Sequence, residues 1–267
     1  STGYSIEITG LNGGHSGMDI DKELGNANKI MNRLLHETID CIRISEINGG
    51  SLRNAIPRES FALIAVNNAQ KEIFKKNIEN ISTDIKKEFQ VVDPNLTITI
   101  SEIESPKRVM TTISQISLVR AIYATHNGVY RMSNDMKGLV ETSNNLARVI
   151  VKNDTITIMC LTRSSVESSK DDLANTLKST FELAGYDVSL KGSYPGWKPN
   201  PGSKLVQKMA AIYEKKYGHA PVIEACHAGL ECGIIGEAYK GLDMVSFGPL
   251  IQGAHSPDER ASVSSFR

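Results

Sequence analysis

The stretch GYSIEITGLNGGHSGMDI, residues 3–20, sets the pattern for the first half of the chain. Tyr4, Ile6 and Ile8 alternate with Ser5, Glu7 and Thr9, a period of two that predicts a strand over 3–10 with one apolar face. LNGGHSG then turns the chain into a helix expected over 20–36, where Ile20, Leu24, Ala27, Met31 and Leu34 step by three and four to form one stripe. Strands at 41–47 and 61–66 follow, joined by NGGSLRNAIPRE, and a charged amphipathic helix over 70–89 leads to a strand at 96–103. That order, βαββαβ, is the ferredoxin-like pattern.

Further along, the pattern recurs in part. A helix is expected over 114–125, strands at 145–151 and 155–161, a helix over 170–184 and a strand at 187–190. NAIPRESFALIAV and NNLARVIVKNDTITIMCL hold equivalent places in the two halves, so a duplicated α+β unit is expected. YPGWKPNPG, 194–202, packs three prolines and two glycines into nine residues and sets the boundary between domains 1–192 and 193–267.

Beyond it a helix over 203–217 is capped by Gly218. The segment PVIEACHAGLECGIIGEAYKGLDMVSFGPLIQGAHSPDE, 221–259, reads as strand, helix, strand, the crossover of a parallel sheet. The loops Cys226 to Gly229 and Gly248 to His255 fall at strand carboxyl ends, where open sheets bind ligands. Ser256, Pro257 and Glu259 form a capping box, so a helix is expected directly after His255. Asp258 and Glu259 are read as serving the dipole of that helix rather than as ligands. The whole is α/β in class: ferredoxin-like α+β units, then a partial α/β domain.

Charge is balanced, 30 basic against 30 acidic residues, and no basic stripe interleaves with aromatics, which argues against nucleic acid as a partner. No apolar run approaches membrane-spanning length. Cys41, Cys160, Cys226 and Cys232 are scattered without a C-x-x-C pair, which fits a reducing cytoplasm and no structural zinc ribbon. The chain opens without Met inside a strand and stops soon after its last helix start, as a piece of a longer protein would.

Several residues carry chemistry. His15 lies in a glycine frame, Gly13, Gly14 and Gly17, that bares the ring, and an imidazole there is able to donate to a developing oxyanion. Arg163 ends the strand TITIMCLTR, where it is either an ordinary exposed side chain or a bidentate clamp for a carboxylate. Asn54 either binds substrate or shapes the turn before Pro57. Gly229 sits in a loop whose amides precede a helix, suited to an anion, with His227 and Glu231 as flanking pocket candidates. His255, fixed before a helix, suits a metal. His36, His126 and His219 are read as structural or surface. A G-x-S-x-G elbow, a Walker loop and G-x-G-x-x-G are all missing, and the adjacent Cys226 and His227 make a poor dyad.

HAGLECG, GPLIQGAHSPDE, LNGGHSGMDI (11–20) and GGSLRNAIP (49–57) together resemble the aminoacyl-histidine dipeptidases, the cytosol non-specific dipeptidase branch of the M20 zinc metallopeptidases. The resemblance runs over essentially the whole chain. It implies a lid or dimerisation domain followed by the C-terminal portion of a catalytic domain, and a homodimer formed through the lid. It also implies hydrolysis of Xaa-His and other dipeptides by water activated at a two-zinc site. In that setting His15 steadies the oxyanion, Asn54, Arg163, Gly229 and His227 hold the dipeptide, and His255 ligates metal. The family's H-x-D and Glu-Glu motifs, which supply the remaining ligands and the general base, are not in this sequence, so the chain alone is expected to be inactive. The rival expectation is a non-catalytic lid, dimerisation or carboxylate-binding module.

Overall fold

Alternation in the opening segment produces β1 (Thr2–Thr9), in which Tyr4, Ile6 and Ile8 are buried and Glu7 is exposed. After it come the short β2 (Gly14–His15), α1 (Ala27–Glu37), β3 (Ile42–Gly49), the short β4 (Ala55–Ile56), β5 (Ser60–Val66), α2 (Lys71–Phe89) and β6 (Thr97–Ile103). The computed structural model describes every residue except Asp135, Tyr194, Pro199, Pro201, 226–230, 254–258 and Arg267. Strands β1, β3, β5 and β6 lie in the order β6-β1-β5-β3, all antiparallel, which is the ferredoxin-like arrangement expected from the sequence. The inward faces of β1, β3 and β5 bury Ile6, Ile8, Ile44 and Ile64 against Met31 and Leu34 of α1 and Phe74 and Ile78 of α2. The rings of Tyr4 and Phe74 meet at 5.0 Å between centroids.

The helix expected from residue 20 starts later. Ile20–Lys22 form a single 3-10 turn, and α1 begins after Asn26, whose side chain accepts from the amides of Asn28 (3.0 Å) and Lys29 (3.2 Å). A preceding glycine and an Asn cap are strong start signals, and they override the apolar steps at Ile20 and Leu24.

Next come α3 (Thr112–Ala124), β7 (Gly128–Met132), β8 (Val140–Lys152), β9 (Thr155–Ser164) and α4 (Glu167–Leu183). Strand β8 pairs with β3 through Val149 to Val151, so this half extends the first sheet, and β9 lies on β8. On α3 the fully buried Gln115 accepts from the amide of Ile44 (2.8 Å) and donates to the carbonyl of Ile42 (3.2 Å), satisfying backbone groups beside a bulge in β3. The strand expected at 187–190 does not form: Leu190 is exposed, and the segment has no ladder partner.

The chain divides into two compact units. One comprises 1–128, 144–161 and 175–189; the other comprises 129–143, 162–174 and 190–267. The second contains β7, with the start of β8, and also α5 (Lys204–Tyr217), α6 (Glu231–Ala238), β10 (Ile251–Gln252) and β11 (Arg260–Ala261). Helix α5 forms as expected, with Ser203 as N-cap accepting from the Val206 amide (3.0 Å) and Gly218 closing it in the left-handed region. The parallel crossover expected around α6 is not seen among the described residues. The runs 222–225 and 244–247 are not strands, because among the described residues neither has a strand beside it to complete a ladder. The expected capping-box helix is also overturned where it is described. Arg260–Ala261 pairs antiparallel with Ile251–Gln252, and the amide of Ser262 donates to the carbonyl of Leu250 (2.9 Å), so this backbone is committed to a hairpin.

Candidate functional site

The motifs LNGGHSGMDI and GGSLRNAIP lie about 40 residues apart and meet in space. Strands β2 and β4 form a two-residue ladder, Gly14 opposite Ile56 and His15 opposite Ala55. Beyond that ladder the amide of Ser16 donates to the carbonyl of Asn54 (2.8 Å). His15 and Asn54, both half-buried, are thus brought onto neighbouring backbone.

The loop around His15 is closed by its own side chains. The amide of His15 donates to Asp19 Oδ2 (2.7 Å), the amide of Asp19 returns to the carbonyl of His15 (3.0 Å), and Lys22 Nζ pairs with Asp19 Oδ1 (2.5 Å). A Cβ on Gly14 would come within 2.8 Å of that carboxylate, and one on Gly13, whose φ is +64°, within 2.2 Å of Arg58 Cγ. The imidazole is oriented by backbone: Nδ1 accepts from the amides of Gly17 (3.2 Å) and Met18 (3.1 Å). Both bonds need a lone pair on Nδ1, so the ring proton resides on Nε2. His15 is therefore built as a neutral donor.

The neighbouring loop is held from beneath. Asn145 of β8, fully buried, donates through Nδ2 to the carbonyls of Arg53 (3.1 Å) and Ala55 (2.8 Å), one on either side of Asn54. Asn26 reaches Asn127 Oδ1 (3.0 Å) and the carbonyl of Leu146 (3.1 Å), while the amide of Ala27 donates to the carbonyl of Pro57 (3.0 Å). The backbone of Asn54 is fixed, whereas its side-chain amide makes no bond among the described residues. Sequence reading missed Asn145, Asp19 and Asn26 as supports. Only Asn26 carried a local signal, the cap position before α1.

Arg163 lies one residue from the end of β9 and is buried, which removes the ordinary exposed side chain from its two sequence readings. It belongs to the second unit, as does Glu231, the first residue of α6. His227, Gly229 and His255 lie outside the described residues. Burial pushes the Cys160 thiol up to about 11, which leaves it protonated and a poor nucleophile at neutral pH. Among the described residues no three His, Cys, Asp or Glu side chains converge as metal ligands. The described residues do not by themselves fit a zinc pair.

Residues 2–93 match the M20 peptidase dimerisation domain. The cytosol non-specific dipeptidase of Escherichia coli strain K12 is 39% identical over 265 residues, covering 98% of this chain and 54% of that protein. The crystal structure of aminoacylhistidine dipeptidase from Vibrio alginolyticus matches with a TM-score of 0.89 at 37% identity, over 99% of this chain and 55% of that one. The chain thus spans about half the length of these relatives. No helix among the described residues is long and apolar enough to cross a membrane. By sequence and by fold, this chain is similar to these dipeptidases, and its residues 2–93 match the M20 peptidase dimerisation domain.

Proposed function

We propose that this chain supplies the lid, residues 1–192, and the C-terminal catalytic portion, 193–267, of a cytosolic zinc dipeptidase that acts on Xaa-His and other dipeptides. The observation that carries the reading is the backbone-locked imidazole of His15 beside the held loop of Asn54. A neutral Nε2–H donor, fixed before the reaction, stabilises charge on a carbonyl oxygen as it becomes tetrahedral, without reorganising. Asn54 offers its side-chain amide to the substrate. Arg163 clamps the C-terminal carboxylate through its planar fork, and the Gly229 loop and His227 complete that hold. His255 is the ligand this chain would contribute to a zinc site completed by residues outside it, and a metal held there would supply Lewis-acid activation of water. The dimerisation-type domain at 2–93 supports assembly of two copies through the lid.

The test is hydrolysis of β-alanyl-histidine and of a neutral dipeptide, with zinc, by this chain and by the longer gene product. Activity confined to the longer protein is expected, with H15A lowering its kcat by about 10²–10³, the usual cost of a lost oxyanion donor. Activity in neither sinks the enzyme reading and leaves a dimerisation or carboxylate-binding module. Activity in the short chain overturns the proposed division of the metal ligands.

A further inference from the structure

We propose that Asp93 is a positioning residue for His15, a buried carboxylate that staples both ends of the loop carrying the imidazole. Asp93 is 1% exposed, and no cation among the described residues pairs with it. Its two oxygens divide between two distant amides: Oδ1 accepts from Asn12 (2.6 Å) and Oδ2 from Gly25 (2.7 Å). Those amides bracket the segment that contains β2, His15 and Asp19. A buried carboxylate without a counter-ion is costly unless amides satisfy it, and this one is answered by the two positions that close the loop.

The anchor is itself fixed. The amide of Asp93 donates to the carbonyl of Phe89 (2.8 Å) at the end of α2, its own carbonyl accepts from Leu96 (3.0 Å), and Asn12 Nδ2 reaches the carbonyl of Val92 (2.6 Å). Little room is left at Gly25, where a Cβ would come within 2.6 Å of Leu11 Cδ2 and 3.2 Å of Asp93 Oδ2. Tying both ends of a loop to one group removes most of its freedom, and catalytic donors lose their effect when displaced by as little as an ångström.

This assignment rests on the oxyanion role proposed for His15, and its test separates the two. In the longer dipeptidase, D93N is expected to lower kcat about tenfold or more with little change in KM, and to add nothing once H15A is present. In this chain, D93N is expected to speed amide exchange at Asn12 and Gly25 while β1 and β5 keep theirs. G25A crowds the carboxylate, with a Cβ 3.2 Å from Oδ2, without removing it, so it provides a second variant should D93N fail to fold, with a loss of the same direction and the same dependence on His15 expected. A loss that persists undiminished in the H15A background, or an unchanged kcat in variants whose loop exchange has risen, overturns the staple. If H15A itself leaves kcat unchanged, the oxyanion reading fails and the assignment falls with it.

Discussion

In the segment 2–103 the apolar faces written by periodicity are closed, with Ile6, Ile8, Ile64 and Phe74 all fully buried. In 203–266, by contrast, Val222, Phe247 and Val263 stand 83%, 81% and 77% exposed. Both regions alternate apolar runs with Gly- and Pro-marked turns. The first finds its partners within itself, because β1 pairs with both β5 and β6 and two helices cover the same face. The second has helices where the local pattern suffices, but its runs at 222–225 and 244–247 have no neighbouring strand among the described residues. A helix satisfies its backbone internally, whereas a strand needs a second strand before periodicity becomes structure.

That contrast is open to direct attack. F74A removes a ring from the closed core and is expected to cost about 3–5 kcal/mol, read as a shift in urea midpoint. Next in size is N145A, which strands the carbonyls of Arg53 and Ala55. It should cost about 1–3 kcal/mol and raise amide exchange in 52–57 ahead of the β1–β5 pair.

A pH series sharpens the closed side further. Burial lowers the Lys29 ammonium to about 8 from its ordinary 10.5, against the pull of the carbonyls of Ile122, Tyr123 and Thr125 that accept from it. Between those two values the unfolded chain holds a proton the folded chain has released. This group's contribution to stability therefore rises with pH across roughly 8 to 10.5, by about 1–2 kcal/mol once solvent screening of its exposed part is allowed for, and K29M should flatten that rise. Smallest of all, F247A is expected to shift stability by less than about 0.5 kcal/mol, because its ring is already in solvent. A cost for F247A comparable to that of F74A would erase the distinction between the two regions.

What was legible follows the same line. Tyr4, Ile6 and Ile8 announced β1, and the order of elements announced the ferredoxin-like sheet, because alternation and helical spacing are local properties. Gly25 and Asn26 also carried their meaning locally, yet the apolar steps at Ile20 and Leu24 masked them. The His15 and Asn54 motifs stood out by their glycines, but their meeting at β2 and β4 did not, since a two-residue ladder leaves no periodic trace. Asp93 and Asn145 were illegible for a deeper reason: each binds backbone some 70 to 90 residues away, and backbone amides and carbonyls look alike at every position. Arg163, near a strand end, left two readings open, and its burial depends on packing that no local pattern announces.

The most direct test of the account is a long-range ¹H–¹⁵N NMR spectrum of the His15 imidazole in this chain at neutral pH. The geometry predicts a single neutral tautomer with Nε2 protonated and Nδ1 bare, unchanged while the loop holds. A proton on Nδ1, or rapid averaging of the two nitrogens, would contradict it, because the amides of Gly17 and Met18 would then have nothing to donate to and the fixed oxyanion donor would not exist.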